Sequence, residues 1–308
     1  MKLKNLLTKI RNVNGAILQN QRNITKLQYD IKHDALIDKI FHCQDKGVSN
    51  THYADNEVIV SLTTYGKRIY DVAVTIESIM QGSIKPNRIA LWLDPGFKDF
   101  ILPVALQRQL QRGLEIHFYK DIRSYKKLIP SLMKWPDAYI ITIDDDAIYQ
   151  YDCVEKLVNC HTLNPECIIA NRVHRIVLGQ DNKPIKYLDW QWEINSQDVS
   201  PLNFATGGGG TLYPPQCFDA DVFNESDFMG LCKYADDIWF NAMALKKGTH
   251  IKKCPTHSPY GKEYIMNPDV QDMGLFNINL SDGEETNDSQ LKAVFNKYNL
   301  WDKLLENY

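Results

Sequence analysis

The stretch Ile140-Ile141-Thr142-Ile143-Asp144-Asp145-Asp146 sets three carboxylates directly behind a short apolar run. The run has the length and composition of a strand covered on both faces. In an open, mainly parallel sheet, ligands bind beyond the carboxyl ends of the strands. Three adjacent carboxylates there repel one another unless a cation compensates them. Oxygen donors of this kind suit Mg2+ or Mn2+, with phosphate oxygens completing the shell. The stretch therefore predicts a metal–diphosphate site at a sheet edge. A solvated acidic turn is the plainer alternative, but such a turn has no need of so buried a strand before it.

Working outward, the same architecture repeats. Val58-Ile59-Val60-Ser61-Leu62 reads as a buried strand. The spacing predicts a helix over 70–81, ended by Gly82 and Pro86. A strand over 88–93 follows, turned by Asp94-Pro95-Gly96. Then come a helix over 102–112 stopped by Gly113, a strand over 114–119, a short helix over 124–134 and the strand over 138–143. Strand and helix alternating at this interval mean an α/β fold, a mainly parallel sheet flanked by helices. Downstream the pattern is less regular. It predicts a helix over 153–163, a strand over 167–173, a loop from Gly179 to Asn203, a helix over 234–247 closed by Gly248, a strand over 249–253 and a last helix over 286–299.

Composition narrows the function classes. The chain has 308 residues, 44% hydrophobic and 24% charged, with a net charge of −3. That balance excludes a general nucleic-acid binder, which carries a basic field, and a disordered chain. No run reaches the ~18 apolar residues of a membrane span, and the N-terminus lacks the ~7–15-residue apolar core of a signal peptide. The seven cysteines are odd in number and form no Cys-x-x-Cys pair. They read as buried thiols of a chain in a reducing cytoplasm.

The first 42 residues differ from the rest. Residues 1–28 hold six basic side chains and no acidic one. Leu3, Ile10, Ile17, Ile24 and Ile31 fall seven apart, with Leu6, Val13, Asn20, Leu27 and Asp34 as companion positions. Such a frame suits a two-stranded parallel coiled coil, which would make the protein a homodimer. A basic helix lying on an anionic membrane surface and a helix packed on its own domain are the other readings. Residues 43–56 are polar and read as a linker. The domain that follows spans 57–308, with the regular strand–helix pattern over 57–150 and the less regular part over 151–308.

Further candidates follow from residue chemistry. Ala235-Asp236-Asp237-Ile238-Trp239-Phe240 places two acids at the start of an apolar helix, where the helix N-terminus stabilises anions. Capping alone would explain one of them. Lys126 or Lys127 would help neutralise a diphosphate, unless both line a solvated helix face. The run Gly207-Gly208-Gly209-Gly210 lacks the Gly-Lys-Ser/Thr ending of a phosphate loop. Gly208 and Gly209 read instead as backbone that approaches a bound ligand closely, or flexes to admit one. Trp190, Trp192 and Tyr213 are candidates for stacking on sugar faces, with core packing as the commoner use of such residues.

Four blocks in this order resemble the GT-A-fold glycosyltransferases, family 2-like, of the bacterial kind that build capsular or lipopolysaccharide chains. They are Val60-Ser61-Leu62-Thr63-Thr64-Tyr65, Tyr125-Lys126-Lys127-Leu128, Asp144-Asp145-Asp146 and Ala235-Asp236-Asp237-Ile238-Trp239-Phe240. The resemblance spans about 57–300 and leaves the heptad segment outside; it implies one catalytic domain over 57–308, with a nucleotide-sugar half over 57–150 and an acceptor half over 151–308. It implies that Asp144 and Asp146 form the Asp-x-Asp motif around Mn2+ or Mg2+, with Asp146 as metal ligand, Asp144 on the ribose or the metal's water, and Asp145 between them. It implies further that Thr63, Thr64 and Asp94 touch the nucleotide, that Asp237 is the catalytic base with Asp236 orienting the acceptor, and that His257 completes the metal shell. The implied reaction is inverting transfer of a sugar from a nucleotide sugar, UDP-linked by default, to a glycan or lipid-linked acceptor. Its setting would be the cytoplasm or the inner face of the cell membrane. A nucleotidyltransferase that forms nucleotide sugars is the second reading. It calls for a Gly-rich turn after the first strand, and Thr63-Thr64-Tyr65-Gly66-Lys67-Arg68 holds one glycine. A non-catalytic scaffold working through the coiled coil is the third.

Overall fold

Strand β1, Val58–Thr63, shows how the sheet is buried. Ile59 joins a core with Ala90, Trp92 and Ile140, while Val58, Val60 and Leu62 join a second core with Ile89, Leu91 and Ile141. Alternate side chains point to opposite faces of a strand, so both faces of this sheet are covered. The computed structural model describes residues 2–255, 263–268 and 286–306, with residues 2–12 described by their backbone alone.

The chain runs α1 (Lys2–His42), β1, α2 (Val72–Met80), β2 (Arg88–Leu93), α3 (Val104–Gln111), β3 (Leu114–Phe118), α4 (Ile129–Lys134), β4 (Tyr139–Thr142), β5 (Ala147–Tyr149) and α5 (Cys153–Leu163). It continues through β6 (Ile168–Ala170), β7 (Val173–Arg175), β8 (Asn203–Ala205), β9 (Thr211–Tyr213), α6 (Glu225–Leu231), α7 (Asp236–Lys247), β10 (Ile251–Lys253), β11 (Tyr264–Met266) and α8 (Asn287–Tyr298). The seven-stranded sheet has the order β10-β6-β9-β4-β1-β2-β3. The pairs β1–β2, β2–β3, β1–β4 and β6–β10 are parallel, and β9 lies antiparallel between β4 and β6. This is the expected mainly parallel, Rossmann-like α/β sheet. From β1 the chain passes outward to β3 and then returns to β4 on the other side of β1. That reversal opens a crevice at the carboxyl ends of β1 and β4.

Several elements depart from the sequence expectation. The helix expected over 124–134 is split into a 3-10 turn, Arg123–Lys127, and α4. Pro130 explains the split, since its ring is tolerated in a first helical turn and not inside a helix. The strand expected over 167–173 breaks between β6 and β7. There the backbone N–H of Asn171 donates to Gly210 O and its side-chain amide to Gly209 O, so the chain leaves the sheet to hold the glycine run. Strands β5, β8, β9 and β11 and helix α6 were not expected. The segment 43–56 joins α1 to β1 along the domain surface, fastened by Gly47 N–H to Arg112 O, Ser49 N–H to Pro86 O, and the Asn87 amide on Ser49 O and Thr51 O.

Among its described side chains, helix α1 docks on the domain through those of its C-terminal part. Tyr29 and Ile40 are buried there, and Leu36 and Ile37 pack beside Val74 and Ile148. No helix among the described residues is long and apolar enough to cross a membrane.

Candidate functional site

The β1–β4 crevice brings the first group of residues together. β1 ends at Thr63, whose hydroxyl donates to Trp92 O at 2.9 Å and ties β1 to β2. The next residue, Thr64, donates to Asp145 Oδ2 at 2.6 Å across the crevice. A 3-10 turn over Gly66–Tyr70 then places Arg68 against the acidic cluster, with Nη1 at 2.7 Å from Asp145 Oδ1 and Nη2 at 3.3 Å from Asp146 Oδ2. The three carboxylates thus differ. The side chains of Asp145 and Asp146 are 7% and 8% exposed, whereas that of Asp144 is 34% exposed and faces the cleft. Asp145 is turned inward and serves as an anchor.

The second group arrives from the other half of the chain. Lys127, at the end of the split 3-10 turn, sets its Nζ 2.9 Å from Asp144 Oδ1 and 3.0 Å from Asp236 Oδ2. The second contact is an ion pair lying off hydrogen-bond direction, since Asp236 Oδ2 has no hydrogen-bond partner. Ser124 in the same turn donates to Asp236 Oδ1 at 2.9 Å. Burial pulls the Lys127 ammonium down, but Asp144, Asp236 and Asp237 outweigh it and hold it well above the ordinary lysine range. Lys127 is therefore a fixed positive charge joining the acidic cluster to the acid pair that opens α7.

Asp237 has a different environment. Its Oδ1 accepts from Gly207 N–H at 3.0 Å. Burial, then the neighbouring Asp236 carboxylate, push its carboxyl up to about 7, against the pull of Lys127. The residue is only partly covered from solvent although protein surrounds its carboxyl. A group at the floor of a cleft satisfies both conditions. A carboxylate whose proton affinity lies near neutrality is matched to general-base work.

Glycines close the cleft, where an added methyl would crowd its charged side chains. A Cβ on Gly207 would stand 2.7 Å from Lys127 Nζ and 3.3 Å from Asp237 Oδ1, and one on Gly208 would stand 3.2 Å from Asp144 Oδ2. Two residues outside the sequence expectation hold this loop. Tyr149 OH accepts from Asp144 N–H at 2.9 Å and donates to Gly208 O at 3.0 Å. Asn241, one turn into α7, donates to Ala205 O at 2.8 Å and to Asp237 O at 2.7 Å, and accepts from Ala205 N–H at 2.9 Å. It fastens the base-bearing helix to the strand that feeds the glycine run. Arg68 carries no spacing signal, its partner Asp145 lying 77 positions away, whereas Tyr149 and Asn241 stand five and four positions from Asp144 and Asp237 but also reach partners 59 and 36 positions away.

Other candidates lie apart from this network. Asp94 caps its own 3-10 turn through Gly96 N–H at 2.9 Å. Lys126 pairs with Asp121 at 2.9 Å. Trp190 is buried among Tyr187 and Phe204, and Trp192 stacks on His174 at 4.8 Å. Gly209 is filled against Arg172. Tyr213 is buried on Phe218 and Phe240, and burial, then the Asp237 charge, raise its phenol. His257 lies outside the described residues. No group of three His, Cys, Asp or Glu able to hold a metal ion occurs among the described residues. The donor set still fits a hard cation, because Mg2+ commonly takes one or two carboxylates and completes its shell with waters and substrate phosphates. Asp144, which faces the cleft, and Asp146, which Arg68 covers, are the carboxylates that could supply it.

No family model matches the sequence, and no curated protein matches it. Among solved structures, a CMP:2-keto-3-deoxy-manno-octonic acid synthetase complexed with CTP aligns at 10% identity, covering 65% of this chain and 90% of that one, with a TM-score of 0.36. The mannosyltransferase PcManGT from Pyrobaculum calidifontis, in complex with GDP-Man and Mn2+, aligns at 13% identity with a TM-score of 0.41. That alignment covers 77% of this chain and 64% of the other. Likeness at this level assigns no activity to the chain.

Proposed function

We propose that the protein is a glycosyltransferase that moves a sugar from a nucleotide sugar to an acceptor hydroxyl, with inversion. The observation that carries this reading is Lys127, which spans from Asp144 in the β4 cluster to Asp236 beside Asp237. Sugar transfer needs both ends of that span within one cleft, one to hold the donor's diphosphate and one to take a proton.

Asp144 and Asp146 would hold Mg2+ or Mn2+, whose charge offsets that of a departing nucleoside diphosphate. Lys127 and Arg68 keep the acidic cluster from repelling the donor's phosphates. Thr63 and Thr64, at the end of β1, line the nucleotide side. Asp237 accepts the proton of the acceptor hydroxyl as its oxygen bonds to the anomeric carbon. The bond from that carbon to the diphosphate breaks, and the diphosphate leaves with the electron pair. UDP is the nucleotide expected, and the acceptor is a glycan or lipid-linked hydroxyl.

The test is calorimetric titration of UDP in the presence of Mn2+, on wild type and on Asp146→Ala, followed by a screen of UDP-sugars for transfer. Metal-dependent binding lost in the variant, with UDP released on turnover, supports the reading. Pyrophosphate formation from a nucleoside triphosphate and a free sugar would instead mark a nucleotidyltransferase. Binding of neither UDP, CMP nor GDP with metal would leave the acidic cluster as a structural feature.

A further inference from the structure

We propose that α1 pairs with the α1 of a second copy of this chain in a parallel two-stranded coiled coil. The first observation is an apolar seam that none of the described residues covers. Val13, Ile17, Ile24, Leu27 and Ile31 are exposed by 57%, 49%, 55%, 60% and 62%. They occupy the two seam positions of one heptad frame that runs from Leu3 and Leu6 to Ile31 and Asp34. Leu18 is exposed as well and stands outside the seam.

The second observation is where the domain sits. Tyr29, Leu36, Ile37 and Ile40 dock α1 on the domain. At 3.6 residues per turn, these positions centre about 160° around the helix from the seam. Two copies meeting along the seam therefore carry their domains outward, on opposite sides of the coil, with neither displaced.

Three features select a second copy over other occupants. A strict seven-residue repeat drifts about 20° per heptad on a straight helix, so over four heptads the stripe winds by about 80°. A supercoiled partner helix follows that winding, and a flat lipid surface does not. The positions flanking the seam from residue 14 to 28 are Asn14, Ala16, Gln21, Asn23 and Gln28, all uncharged. In this frame the basic Arg11, Arg22 and Lys26 stand behind the seam, and Lys9, which flanks it, falls opposite the uncharged Asn14 of a parallel partner, so two copies approach without like charges face to face. Isoleucine at the first seam position with Val or Leu at the second favours two parallel strands, and Asn20 within the seam fixes the register. Asp34 ends the seam, because two copies would set like charges together there.

The experiment is light scattering on the full chain after size exclusion at micromolar concentration. The expected mass is twice the 35.6 kDa of one chain. Ile17→Asp combined with Ile24→Asp is expected to halve that mass while leaving the domain's near-UV circular dichroism and thermal midpoint unchanged, since both residues are exposed in the single chain. Asn20→Cys in a Cys43→Ser background is expected to cross-link two chains under mild oxidation, as facing seam positions require. A monomeric wild type, a dimer unaffected by the double substitution, or any other stoichiometry overturns the proposal. Failure of the Asn20→Cys cross-link in a dimer overturns the parallel register. Sedimentation of monomeric protein with phosphatidylglycerol–phosphatidylcholine vesicles would assign the face to a membrane surface and overturn it equally.

Discussion

The two acidic groups of the cleft are built on opposite principles. The carboxylates after β4 are matched by fixed cations, with Arg68 on Asp145 and Asp146 and Lys127 on Asp144. The pair opening α7 is matched unevenly. Asp236 takes Ser124 and Lys127, while Asp237 receives one backbone N–H, from Gly207. The first arrangement offsets the mutual repulsion of the carboxylates, although burial still raises Asp145 above the usual carboxylate range. The second leaves one carboxyl with its proton affinity lifted to about 7, as a base requires. Compensation, more than the number of acids, separates a binding site from a proton acceptor.

The sharpest way to break this contrast is Asp237→Asn. Transfer is expected to fall by about 10²–10⁴-fold, the range for removing a positioned base, with donor binding retained. Stability is expected to move the other way. Asp237 sits in the fold with its carboxyl raised above its unfolded value, so between about pH 4 and 7 the folded chain binds the extra proton. Stability therefore declines as pH rises through that window, and the neutral amide removes the decline. A variant that is inactive and also destabilised at neutral pH would show that Asp237 holds the fold.

Lys127→Met attacks the link between the groups. It leaves Asp144 and Asp236 without their shared buried cation, and breaking such a pair costs about 3–5 kcal/mol. Urea unfolding measures this directly. A loss below about 1 kcal/mol would mean that the carboxylates find compensation elsewhere.

How much of this contrast is legible in the sequence depends on how local each signal is. The strand over 88–93 and the helix over 153–163 match β2 and α5 at both ends, because apolar runs bounded by turn residues need no partner to be read. The acidic cluster and the acid pair were visible for the same reason, as charges set against apolar elements. Strand β9 was not visible. Thr211–Tyr213 is three residues long between Gly210 and Pro214, and it is a strand only because β4 and β6 flank it. Lys127 was visible as a lysine near a strand, but its reach to both acidic groups depends on the break before Pro130. Arg68 carried no signal, since a basic residue in a polar turn is ordinarily solvated.

The pH profile sharpens the comparison further. Below about pH 7 the rate is expected to drop about tenfold per pH unit as Asp237 takes up its proton. Asp236→Asn removes a neighbouring negative charge that helps raise Asp237, so the midpoint is expected to move to lower pH. A midpoint that stays in place would assign the titration to another group.

The smallest expected effect comes from Gly207→Ala, which tests whether the two groups must touch through one loop. The new methyl would stand 2.7 Å from Lys127 Nζ and 3.3 Å from Asp237 Oδ1, so one of the two must give way. Lys127 is the softer partner, being the far end of a long side chain, yet it is held by two carboxylates. A displacement of less than an ångström at a base or a charge clamp is expected to cost about tenfold in turnover, with the fold intact. If the shift falls on Lys127, donor binding weakens along with turnover. If it falls on Asp237, binding is unchanged and the pH midpoint moves instead. Equal activity in variant and wild type would mean that the glycine run serves the backbone's course alone, and that the cleft tolerates more bulk than its distances allow.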